Sequence, residues 1–98
     1  MHAVVRTYSG KGAKELADLL EKRKSDVENV MRSVKGLVSY TMLRRTADGC
    51  CSVSLCNDKA GVEESIQKAR DWIKANASAT GVSAPAIADG SVVVHLKA

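Results

Sequence analysis

Phenylalanine is absent from these 98 residues, and the aromatic side chains amount to one tryptophan, Trp72, and two tyrosines, Tyr8 and Tyr40. A chain so poor in flat rings lacks the stacked aromatics on which single-stranded nucleic acids are held, so no nucleic-acid partner is expected. Long apolar runs are missing too. None approaches the roughly 20 residues that a membrane-spanning helix requires, and no membrane partner is expected. The three cysteines, all within residues 50 to 56, are an odd number, which fits reduced thiols better than a disulfide framework. The opening "MHAVVRTYSG" has no charged leader followed by an apolar segment and a cleavage site, so a cytoplasmic location is expected. The only imidazoles, His2 and His95, have no third ligand beside them, and no metal site is expected.

What is present describes a soluble domain. Apolar residues make up 45% and charged residues 27% of the chain, an ordinary balance, and the length suits one domain spanning residues 1–98. The net charge of +4 comes from 15 basic and 11 acidic residues interspersed as in "KELADLLEKRKSDVE". That mixture reads as solvated helix faces.

Residues 3 to 8, "AVVRTY", predict a first strand that stops at Ser9-Gly10. From Lys11 to about Val34, Leu16, Leu20, Val27, Val30, Met31 and Val34 recur at helical spacing, with Gly36 closing the segment. Two readings of this stretch stay open. It is one continuous or slightly kinked helix, or it breaks after Lys22-Arg23-Lys24, where Ser25 and Glu28 have the spacing of a capping box. "GLVSYTMLRRTADGCCSVSLCN" predicts two strands joined at Asp48-Gly49. Asp58 predicts the cap of a second helix with the stripe Val62, Ile66, Ala69, Ile73 and Ala77. "SVVVHLK" predicts the last strand. The order βαββαβ is that of an α+β, ferredoxin-like fold: a four-stranded antiparallel sheet with both helices on one face. Ala3 to Thr7 and Val92 to Val94 carry apolar residues at both parities, so both faces of the sheet call for cover, and a second subunit would provide it.

A two-residue turn at Asp48-Gly49 would pair Thr46 with Cys51, Arg44 with Val53 and Met42 with Leu55. Tyr40, Met42, Cys51, Val53 and Leu55 would then share one face, and Cys50 and Cys56 the other. Cys50 and Cys51 point apart, and Cys56 lies roughly 20 Å from Cys50 at about 3.3 Å per residue, too far to share a metal. "YSGKGA" lacks the C-x-x-C of metallochaperones, and the phosphate-loop, G-x-S-x-G and H-E-x-x-H patterns are absent, so no cofactor is expected. Among the remaining residues, His95 is the natural acid-base candidate.

"GLVSYTMLRRTADGCCSVSLCNDKAGVEESIQKARDWIKAN" resembles the antibiotic biosynthesis monooxygenase-like family. The shared features are a glycine ending the first helix, an aromatic-bearing strand ending in arginine, an acidic-Gly hairpin, and a "DKAG" helix start running into "ARDWI". The resemblance implies a dimeric α/β barrel, a homodimer whose sheet faces meet, with a small organic ligand between each sheet and its helices. Some members oxidise polycyclic aromatics with neither metal nor cofactor. On that footing His95 would be a catalytic proton acceptor, Tyr40 and Asn57 would orient oxygens, and Trp72 would stack on the ring of a quinol-like substrate. The other reading is a non-enzymatic dimeric accessory or stress-response module whose pocket is filled by side chains. A void of at least about 300 Å³ between sheet and helices separates the two.

Overall fold

A computed structural model describes all residues, 1–98. The first strand, β1 (His2–Tyr8), alternates as a half-covered strand should: Val4, Arg6 and Tyr8 are buried, while Ala3, Val5 and Thr7 are only partly so. Two helices follow, α1 (Ala13–Lys22) and α2 (Lys24–Arg32). Ala13, Leu16, Ala17 and Leu20 bury one stripe of α1, and Val27 and Met31 continue it in α2. The stretch read as one helix or two is therefore broken, at Arg23, whose backbone leaves the helical region (φ −110°, ψ 34°). Ser25 does not cap the second segment. The Arg23 side chain fixes the break instead: it donates to Asp26 at 2.6 Å and to Asn76 at 2.9 Å, with its guanidinium 5.2 Å over the Trp72 ring.

Strands β2 (Leu37–Arg44) and β3 (Cys50–Cys56) form the expected hairpin, but in another register. Arg44 pairs with Cys50, Met42 with Ser52 and Tyr40 with Ser54. The connection is a five-residue loop, closed by the Arg45 N–H donating to the Gly49 carbonyl at 3.0 Å. The slip from the two-residue turn is three positions. An odd slip exchanges faces, so Tyr40 and Met42 lie with Cys50, Ser52 and Ser54 against the helices, not with Cys51, Val53 and Leu55. The opposed directions of Cys50 and Cys51 survive. Cys50 and Cys56 are buried, and Cys51 is partly exposed.

Asp58 caps α3 (Lys59–Asn76) as expected, its carboxylate accepting from the Gly61 N–H at 2.9 Å. After a short turn at Ser78–Thr80 the chain enters β4 (Ala86–Ser91). This corrects the expected last strand. "AIADGS" pairs with β1, while Val92 to Ala98 lie beyond it, with Val93, Val94 and Leu96 more than 80% exposed. The chain reaches the sheet beside Thr7 and runs antiparallel to β1. Its ladder therefore ends at His2 opposite Ser91, with one last bond from the Val92 N–H to the Met1 carbonyl at 2.9 Å and no strand facing Val93 and Val94.

The sheet order β2-β3-β1-β4, antiparallel throughout, with the helices packed on one face, makes this a ferredoxin-like α+β fold. The face away from the helices is formed by Ser39, Thr41 and Leu43 of β2, Cys51, Val53 and Leu55 of β3, Ala3, Val5 and Thr7 of β1, and Ala86, Ala88 and Gly90 of β4. None of these twelve residues is charged, in a chain that is 27% charged.

Candidate functional site

Between the sheet and the helices one charged side chain is placed where an apolar one is the rule. Arg6, at the parity of Val4 and Tyr8, is 3% exposed and has no carboxylate partner. Its guanidinium donates to the Ser65 carbonyl of α3 at 3.3 Å. Arginine keeps its charge under all ordinary conditions, and an unpaired charge out of water is costly.

Two spaces meet at Arg6. The inner one, a cavity of about 40 Å³, lies among Leu20, Val27, Met31, Tyr40, Met42, Cys50 and Trp72. It holds little more than one water, whose share of the liquid is about 30 Å³. The outer one is a cleft of about 400 Å³, walled by Ile66, Arg70, Ile73 and Lys74 of α3, by Val82 to Pro85, and by Ile87 of β4. Arg6, Tyr8 and Ile73 belong to both walls. A further hollow of about 300 Å³ lies between α1, α2 and β2, with Glu21, Glu28, Lys24 and Arg44 on its rim.

The inner cavity determines the chemistry of Tyr40. Burial pushes its phenol above the ordinary pKa, opposed by the positive charge of Arg6 and a hydrogen bond with Ser52. Burial likewise raises Tyr8, again against Arg6. Both phenols are protonated donors near neutral pH. Burial also raises the Cys50 thiol, reinforced by Cys51, so Cys50 is a poor nucleophile.

Of the four residues singled out from the sequence, the structure brings two together. Tyr40 and Trp72 both line the inner cavity. Asn57 is exposed at the opposite end of β3, its N–H donating to the Gly36 carbonyl at 2.8 Å. His95 is exposed beyond β4, and neither residue lines any of the three spaces. Trp72 has Arg23 over its ring, so a ligand would not stack on that face. Sequence reading passed over Arg6, Arg70 and Lys74. Arg6 left a trace, as a charge at the buried parity of an otherwise apolar strand; the α3 cations, on a solvated helix side, left none.

No protein-family model and no curated protein matches this chain. Solved structures do. A protein of unknown function from Nitrosomonas europaea, NE2512, is 18% identical over 99% of this chain and 93% of its own, with a TM-score of 0.68. A dimeric ferredoxin-like protein from an uncultured marine organism is 13% identical over 99% and 96%, with a TM-score of 0.63. SnoaB of Streptomyces nogalater, a cofactor-independent oxygenase solved as a mutant, is 13% identical over 98% and 92%, with a TM-score of 0.51. The likeness to the antibiotic biosynthesis monooxygenase-like class read from residues 36–76 is thus borne out as a likeness of fold.

Proposed function

We propose that this protein is a homodimeric small-molecule-binding protein of the dimeric α/β barrel class, which takes a small organic ligand into the cleft between α3 and the β1–β4 side of the sheet. The observation that carries this reading is Arg6, a buried cation with no counter-ion at the wall of a 400 Å³ cleft. That volume exceeds the roughly 300 Å³ at which ligand pockets begin, which favours a binding role over a side-chain-filled accessory module. The uncharged outer face of the sheet supports the homodimer, since a second copy would remove its apolar surface from water. Titrating the protein with 2-naphthol and 2-naphthoate, followed by backbone amide shifts, tests the site. Perturbations centred on residues 6, 70, 74, 82–84, 86 and 87 are expected; shifts confined to other surfaces would refute it.

A second reading, cofactor-independent oxygenation, is supported by the fold shared with SnoaB and by the cation beside the Tyr8 phenol on the cleft wall. An aromatic substrate with an acidic ring CH₂ would be held in the cleft as its enolate by Arg6, with Tyr8, on the same wall, donating to the same oxygen. The carbanion form would reduce dioxygen. One oxygen atom would end as the new carbonyl, the other would leave as water, and the substrate would supply all four electrons. Oxygen consumption with such a substrate, lost in Arg6→Met, is the expected result. Consumption equal to that of the uncatalysed solution would remove this reading and leave the binding one.

A further inference from the structure

We propose, resting on the binding role above, that the cleft selects organic anions, in particular carboxylates carried on a compact apolar body. Three cations, Arg6, Arg70 and Lys74, line it, and no aspartate or glutamate does. Arg70 and Lys74 stand four residues apart, on one side of α3, and neither takes part in an ion pair. The nearby acids are engaged elsewhere. Asp71 accepts from Gln67 at 2.8 Å, and Asp89 of β4 pairs with His2 at 2.9 Å.

The rest of the wall fixes the other half of the ligand. Ile66, Ile73, Val82, Pro85 and Ile87 present hydrocarbon, which a fully polar anion such as inorganic phosphate would leave unmatched. A ring or branched chain would lie on this surface, with its carboxylate turned to the planar fork of Arg6, which donates to two oxygens at once. Arg70 and Lys74 stand at the mouth, where they are exposed. Their charges attract the anion and hold its outer oxygen. The buried guanidinium thereby gains the counter-charge that its own chain withholds.

The test compares three probes of one shape, 2-naphthoate, 2-naphthalenemethanol and 2-naphthylmethylammonium, by calorimetric titration of the full chain. The carboxylate is expected to bind about tenfold or more tighter than the alcohol, the scale of one charge-assisted hydrogen bond, and the ammonium weakest of the three. In Arg70→Gln/Lys74→Gln, at two exposed positions, the ratio of carboxylate to alcohol affinity is expected to fall at least about threefold. Arg6→Met is expected to abolish the preference. Equal affinities for carboxylate and alcohol, or tightest binding of the ammonium, overturn the anion selectivity and leave the binding role standing. Binding of none of the three overturns both.

Discussion

The Arg6 guanidinium and the Ser65 carbonyl, 3.3 Å apart, join the centre of the sheet to the middle of α3 with a charge on one side only. Replacing a buried charge by a hydrocarbon of similar length is often neutral or stabilising. Arg6→Met is therefore expected to match or exceed the wild type in stability without ligand, to within about 1 kcal/mol on the low side, while losing carboxylate binding. Urea unfolding measures the first and calorimetry the second; a large loss of stability would mean that Arg6 is a structural strut.

Gly49 closes the hairpin loop at φ +65°, where an added Cβ would stand 2.0 Å from the Tyr8 carbonyl oxygen. Gly81 has nearly the same φ, +69°, with nothing within 4 Å. Gly81→Ala is expected to cost about 1 kcal/mol, the conformational term alone, and Gly49→Ala upwards of about 3 kcal/mol, because backbone must move as well. Similar unfolding midpoints for the two variants would show that the loop at Gly49 can shift freely.

Burial holds the protons of Cys50 and Cys56 above the ordinary thiol value of 9.0, and those of Tyr8 and Tyr40 above the ordinary 10.0. Below about pH 9 both folded and unfolded chains keep these protons, and the contribution is fully present. Above it the unfolded chain releases them first, so stability falls as pH rises. Urea midpoints are expected to decline steadily from pH 9 to 10.5. Constant midpoints over that range would contradict the burial of these four groups.

Val53 lies at the middle of the uncharged sheet face and is 37% exposed in the single chain. In a face-to-face dimer Val53→Lys would place two ammonium groups in an apolar interface, a cost of several kcal/mol. Sedimentation is expected to show a dimer for the wild type and a monomer for this variant. A monomeric wild type at micromolar concentration would overturn the dimer.

Asn57→Ala and His95→Ala are expected to leave carboxylate binding unchanged, since both residues lie outside the cavities. A loss in either variant, with the fold intact, would bring that residue back into the site.

The sequence was most legible where a local rule had no competitor. Asp58 caps α3 because its side chain has one free N–H to satisfy, three residues on. Long-range geometry overrode local preference elsewhere. "SVVVHL" has the stronger strand composition, yet "AIADGS" takes the place beside β1, because pairing depends on where the chain arrives from α3. The hairpin was read from its turn dipeptide, but Asp48 is occupied elsewhere in a five-residue loop: it accepts from the Gly10 N–H at 2.7 Å and from Arg45 at 3.0 Å. Those two bonds depend on β1 and on the loop's own arginine, which no reading of the dipeptide includes. Tyr40 and Trp72 were found because aromatics are rare here, and Arg6 was missed because a single charge in a strand is usually solvent-facing.

The uncharged face of the sheet and the cationic cleft lie on opposite sides of one layer of backbone, and they answer to different physics. Dissolved salt screens the attraction between a carboxylate and exposed Arg70 and Lys74, whereas burial of hydrocarbon is almost indifferent to it. Ionic strength thus becomes a dial that turns one property alone. Raising it from millimolar to molar is expected to weaken carboxylate binding by about the threefold assigned to Arg70 and Lys74 while leaving a sheet-to-sheet dimer assembled, so ligand affinity and assembly can be tuned separately in one tube without altering a single residue.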